Sequence, residues 1–193
     1  IPVFGSHIIQ KLHKWLTKIG SLKVEKTNMP SIKSKLIENP YDKTYPYVNI
    51  SSCILEGVQP TLLINYSNIP QAFYGVKKLV LAHKMYGFPY IDNNGAYGIS
   101  NRDNYVIINK TDKELQKLQL FLSTNFALYL FEGGRYRMKY LEKYAFEFIP
   151  DITKLDDFPL EITDETVADY FGLDKEDQKH ISGLHKKKYK RFL

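Results

Sequence analysis

KKLVLAHKMYGFPYIDNNGAYGIS, Lys77 to Ser100, opens with two charges, runs apolar from Leu79 to Ala82, and then breaks into a turn rich in Asn and Gly. Such a passage is either a surface hairpin of a domain or a strand that carries a loop to a partner. Asn94-Gly95 is the strongest short-range turn pair in the chain, because both residues tolerate the positive φ of a tight hairpin. The pattern predicts Leu79–Met85 and Ala96–Ser100, with Tyr105–Ile108 beyond, as successive strands of an antiparallel meander.

Upstream, VNISSCILEGV and PTLLINYS carry the β-branched and apolar content of strands, separated around Gly57 and Pro60. SLKVEKTNM alternates like a strand, and SIKSKLIENPYDKTYPYV is turn-forming, with Pro40 and Pro46 as breakers. In HIIQKLHKWLTKI, positions Ile8, Ile9, Leu12, Trp15, Leu16 and Ile19 fall on one side of a helix, which Ser6 can cap and Gly20 can end. Downstream, Thr111 or Asp112 can cap a helix through KELQKLQLFLSTNFALYLF, with Leu115, Leu118, Leu122 and Phe126 on its buried face. KYAFEFI reads as extended, PDITKLDDFP as a turn, and ITDETVADYFGL as a short helix capped by Thr163 or Asp164. A last helix starts at KEDQ and ends in KKKYKRFL. The expected fold class is α+β: a mixed, mainly antiparallel sheet with packed helices and small helical flanks. The expected divisions are 1–46 (helix and linker region), 47–155 (mixed core) and 156–193 (helical segment with a basic tail).

Among 193 residues, 27 Lys and Arg against 21 Asp and Glu give a formal charge of +6, and there are 15 Tyr and 11 Phe. The balance favours an anionic partner, and the aromatics suit either a core or base stacking. A single cysteine, Cys53, excludes an internal disulfide framework and reads as a small buried hydrophobe. No apolar run reaches the roughly 18 residues of a membrane span, so no membrane partner is expected, and a reducing intracellular compartment fits best. The chain opens IPVFGS without an initiator Met, which reads as part of a longer protein.

No catalytic centre is assembled by the sequence. NPYD, Asn39 to Asp42, resembles half of the Asn-Pro-Pro-Tyr loop of amino methyltransferases, but it lacks the second Pro and any preceding Gly-rich loop; it reads as a turn. His7, His13, His83, His180 and His185 show no metal-ligand spacing, and His83 reads as a polar strand residue. Asp156 and Asp157 before a Pro read as a loop or cap rather than nuclease carboxylates. Neither a G-x-S-x-G elbow nor a P-loop nor a dinucleotide fingerprint is present. The expected catalytic and metal residues are therefore none.

Base-compatible groups are interleaved in two places. IDNNGAYGISNRDNY offers Asn93, Asn94, Asn101 and Arg102, with Tyr97 and Tyr105 nearby; Asn pairs bidentately with adenine and Arg with guanine. GGRYRMKY adds Arg135, Arg137 and Lys139 alternating with Tyr136 and Tyr140, a composition suited to phosphate contact. Two readings stay open: a nucleic-acid surface, or a plain turn followed by a solvated edge strand.

A family resemblance bears on that choice. Lys78-Leu79-Val80, the Asp92–Ser100 turn, Phe121–Ser123 and Ile149–Thr153 match in type the strand, D-x-x-G-x-Y-G turn, "FL-S" helix end and "hydrophobic-P-D-hydrophobic-[ST]" phrase of a known region. It resembles the target-recognition region of Eco57I-like adenine-specific DNA methyltransferases and restriction-modification enzymes, a group also represented in large DNA viruses. The resemblance covers half to two-thirds of the chain, centred on Asn65–Leu155. It implies a non-catalytic module that reads double-stranded DNA, in cis with a catalytic domain that binds S-adenosylmethionine and flips the target adenine. No cofactor is then expected within this chain. The resemblance implies that Lys77 and Lys78 lie on the strand approaching the DNA, with the Asp92–Asn101 turn near the duplex. The implied location is the cytoplasm of a prokaryote or of a virus-infected host cell. Lys186, Lys187, Lys188, Lys190 and Arg191 fall outside the match and would add backbone attraction. The alternative is a protein-interaction or scaffold domain without nucleic-acid specificity.

Overall fold

Alternating side chains of one strand, β5 (Lys78–Ala82), face two different apolar layers, and this sets the architecture. Leu79 and Leu81 enter a large cluster with the helices, while Val80 and Ala82 enter a smaller one with Ile50, Cys53, Ile99 and Val106. A strand buried on both faces reads as a continuous apolar run, which is what LVLA is. The computed structural model describes residues 6–38, 42–56, 59–83, 89–133 and 141–183.

The described residues form a mixed α+β fold with two four-stranded sheets and packed helices. The first sheet has the order β1 (Glu25–Lys26), β8 (Asn104–Ile107), β5, β6 (Tyr90–Asp92), and every neighbouring pair is antiparallel. The second has the order β2 (Leu36–Ile37), β4 (Gln59–Ser67), β3 (Tyr47–Glu56), β7 (Gly98–Ile99). Its β3–β4 hairpin is long and bulged between Ile50 and Ser52, and β7 runs parallel to β3. The expected simple meander is thus corrected. After the Asn-Gly turn the chain leaves the first sheet, lays β7 against β3, and returns as β8. Gly98 permits this crossing, since a Cβ there would stand 2.5 Å from the buried Asn49 Oδ1.

On the other face of the first sheet lie α1 (Ser6–Ile19), α2 (Asp112–Leu122), α3 (Asn125–Gly133), α4 (Asp164–Phe171) and α5 (Lys175–Gly183). The single helix expected from Lys113 to Phe131 is two. Ser123 and Thr124 turn their hydroxyls back to the carbonyls of Gln119 and Phe121. Thr124 Oγ1 then accepts from Ala127 N, and Asp164 from Asn125 N, which satisfies the donors of a new helix start. KYAFEFI is likewise not extended: Lys143–Phe148 form 3-10 turns that bury Ala145 and Phe146. The large cluster runs from Ile8 on α1 to Ile181 on α5, so one apolar core draws on all three expected divisions. Trp15 packs on Tyr170 at 5.0 Å, and Phe126 stacks on Phe171 at 5.1 Å. No helix among the described residues is long and apolar enough to cross a membrane.

Candidate functional site

Lys78, the first residue of β5, has no exposed surface, and its register partner Asp92 at the end of β6 is 3 % exposed. The Lys78 ammonium donates to Asp92 Oδ2 at 2.5 Å and to the carbonyls of Phe73 and Val76 at 3.1 and 3.0 Å. The Asp92 carboxylate in turn accepts from the backbone N–H groups of Ala96 at 2.9 Å and Tyr97 at 3.0 Å. One buried ion pair therefore ties together two turns, 73–76 and 93–97. The cation gathers the carbonyls of the first, and the anion gathers the N–H groups of the second.

The turns also meet directly. Gly75 N donates to Gly95 O at 2.8 Å. Gly95 has φ +65°, and a Cβ there would lie 2.5 Å from the Gly75 carbonyl carbon, so only glycine fits. Phe73 has φ +61°, a left-handed conformation that is costly for an aromatic residue and is held here by its carbonyl bond to Lys78. Removing both charges from water is itself expensive. Burial pushes the Lys78 ammonium below the ordinary lysine range, and the Asp92 carboxylate opposes that shift.

The result is a rigid two-turn knuckle with a defined outer surface. Tyr74 and Val76 are 40 % and 37 % exposed, and Lys77, Asn93, Asn94 and Ala96 are exposed beside them. The Tyr74 ring stands edge-on to Tyr47 at 5.1 Å. Lys77 pairs with Asp112 at the start of α2. Tyr97 is half-buried, packed on the smaller cluster and edge-on to Tyr90 at 6.1 Å. Lys35 is exposed where the second sheet adjoins, its backbone N–H bonded to Asn68 Oδ1.

Of the residues expected to meet DNA, this end gathers Lys77, Asn93, Asn94 and Tyr97. Lys78 stands inside the joint rather than on the surface facing a partner, because its side chain is fully buried and its ammonium is taken by three acceptors. Asn101 and Arg102 lie at the opposite end of β5, where Ala82 pairs with Asn104. Four strand steps separate the two ends, about 13 Å. There the Asn101 amide donates to Ser51 O at the β3 bulge, and its oxygen accepts from Asp103 N and Asn104 Nδ2. Its hydrogen-bonding groups are thus spent on joining β3 to the start of β8, while Arg102 is exposed. Arg135, Tyr136, Arg137, Lys139, most of the NPYD turn and the terminal Lys186–Arg191 basic run lie outside the described residues. Sequence reasoning missed Tyr74 and Val76. The available clue was FYGVKK, a glycine between two apolar residues just before the charged start of a strand.

A second polar cluster, a depression of about 340 Å³ between α1 and α5, is lined by His7, Lys11, Asp174, Glu176, Asp177 and His180. Its carboxylates cap α5: Asp174 accepts from Glu176 N and Asp177 N, and Asp177 accepts from Asp174 N. Lys11 pairs with both, and those bonds raise its affinity for its proton. This cluster fastens α1 to α5. Among the described residues no group of three His, Cys, Asp or Glu is arranged to hold a metal ion. No protein-family model, curated protein or solved structure matches the chain.

Proposed function

We propose that the chain is the sequence-specific double-stranded DNA recognition module of an adenine-N6 DNA methyltransferase or restriction-modification enzyme. In this reading it is non-catalytic by itself, and a separate domain in cis binds S-adenosylmethionine. The observation that carries the reading is the knuckle: two exposed Asn amides and a Lys held on turns locked by the buried Lys78–Asp92 pair. Base readout gains from a backbone that already presents its amide side chains before the duplex arrives, since ordering the turn on binding would cost affinity. A Lys beside them supplies phosphate attraction. The chain's excess positive charge acts in the same direction.

The test is binding to a labelled random-sequence duplex across a salt series, followed by selection of the bound sequences. Salt-sensitive binding that enriches one short adenine-containing motif supports the reading, and absence of binding at low salt refutes autonomous recognition. The second reading, a protein-interaction domain, is favoured by one observation. From Tyr45 to Val76 the sequence contains no Lys or Arg, and Leu63 and Ile64 of this stretch lie exposed on β4. Strong binding without an enriched motif would leave only an electrostatic anchor.

A further inference from the structure

The knuckle carries apolar surface as well as amides, and the two kinds of group are held together. The Val76 N–H donates to Phe73 O, and its carbonyl accepts from Lys78, so the backbone of this residue is satisfied within the turn. Its isopropyl group is left outside, 37 % exposed. Tyr74 is exposed too, but its ring leans on Tyr47. Val76 sits directly against the Asn-Gly turn, because a Cβ on Gly95 would lie 2.6 Å from Val76 N.

The thickness of the knuckle suits the major groove. Two turns meet backbone to backbone at Gly75 and Gly95. A major groove about 12 Å wide admits an element two backbones thick, and it alone presents the thymine C5-methyl. In the major groove an A·T pair offers the adenine N7 and N6 groups on one side and the thymine O4 and C5-methyl on the other. An amide and a fixed aliphatic group on adjoining turns complement that edge. Neither turn contains an arginine, the usual partner of guanine, and Arg102 lies beyond the other end of β5, a strand about 13 Å long.

We infer that Val76 contacts the C5-methyl of a thymine in the major groove, in the pair whose adenine is taken by Asn93 or Asn94. This rests on the DNA-recognition reading and adds to it a groove, a base pair and a reader.

The experiment uses the whole chain and the duplex enriched by selection, with each thymine replaced in turn by deoxyuridine, which lacks only the methyl. The expected result is one position at which the replacement weakens binding about 4-fold, the worth of one buried methyl group. Val76→Ser should bind the thymine duplex as weakly as the wild type binds the uracil duplex, and should no longer distinguish the two. Val76→Ile should keep the discrimination. An enriched motif with no methyl-sensitive position, or discrimination that survives in Val76→Ser, overturns this inference and leaves DNA recognition standing. A chain that binds no duplex at low salt overturns both.

Discussion

Removing the Lys78 ammonium while leaving Asp92 in place strands a carboxylate that is 3 % exposed and still bonded to Ala96 N and Tyr97 N. Lys78→Met should therefore cost about 3–5 kcal/mol, the usual penalty for breaking a buried pair from one side. Asn at position 92 carries no charge to strand, and its oxygen can still accept from the turn. Lys78→Met combined with Asp92→Asn should thus be more stable than Lys78→Met alone. Urea titrations of the two single variants and the double variant decide it, and an additive loss would mean that the pair does not join the turns. Cys53 gives a second residue-scale prediction. Burial pushes its thiol up to about 12, so almost no thiolate exists near neutral pH. Iodoacetamide at pH 8 should leave the folded chain unmodified and label Cys53 fully in denaturant, as mass spectrometry would read.

At the scale of the element, α2 begins with a capping box: Thr111 Oγ1 accepts from Glu114 N, and the Glu114 carboxylate accepts from Thr111 N. That backbone bond, with burial opposing it, holds Glu114 below the ordinary carboxylate range. Its folded pKa is the lower one, so its contribution is present above the unfolded pKa and is lost as pH falls through the folded value. Glu114→Gln should cost about 0.5 kcal/mol near neutral pH, since the site is partly exposed, and should narrow its gap to the wild type below pH 4. Denaturation midpoints at pH 6 and pH 3.5 measure both. This cap was legible in the sequence as Thr-Asp-Lys-Glu before a periodic apolar run, and so was the buried strand LVLA. The break after Leu122 was harder to see, because Leu115, Leu118, Leu122 and Phe126 keep helical spacing straight through it. What divides the helix is hydroxyl bonding at Ser123 and Thr124 and a carboxylate from Asp164, 39 residues distant from Asn125. Non-local contacts of that kind also turned the expected meander: β7 joins β3 because Gly98 lets it pass close to Asn49. The Asn-Gly turn was plain from its residues, whereas its clamp depends on Lys78 facing Asp92 across two strands, which spacing alone does not reveal.

For the molecule as a whole, the two ends of β5 divide residues that the sequence groups within ten positions. Asn93 and Asn94 stand at the Lys78 end, and Arg102 stands at the Ala82 end, with the length of β5, about 13 Å, between the two ends. If the chain reads DNA through the knuckle, Asn93→Ala with Asn94→Ala should relax preference at a single adenine-containing position, at a cost of about 1–3 kcal/mol. Arg102→Ala should leave that position's preference unchanged. Lys77→Ala acts differently, since its ammonium meets no base edge in this scheme and must first leave Asp112. Exposed pairs of that kind are worth at most about 1 kcal/mol, so a phosphate can displace the carboxylate. Its loss should weaken all sequences alike and lower the slope of log affinity against log salt by about 0.9, the share of one phosphate contact. Selection profiles and salt series on the three variants separate these roles. A loss of preference at the same position in Arg102→Ala and in the double Asn variant would contradict the two-ended arrangement.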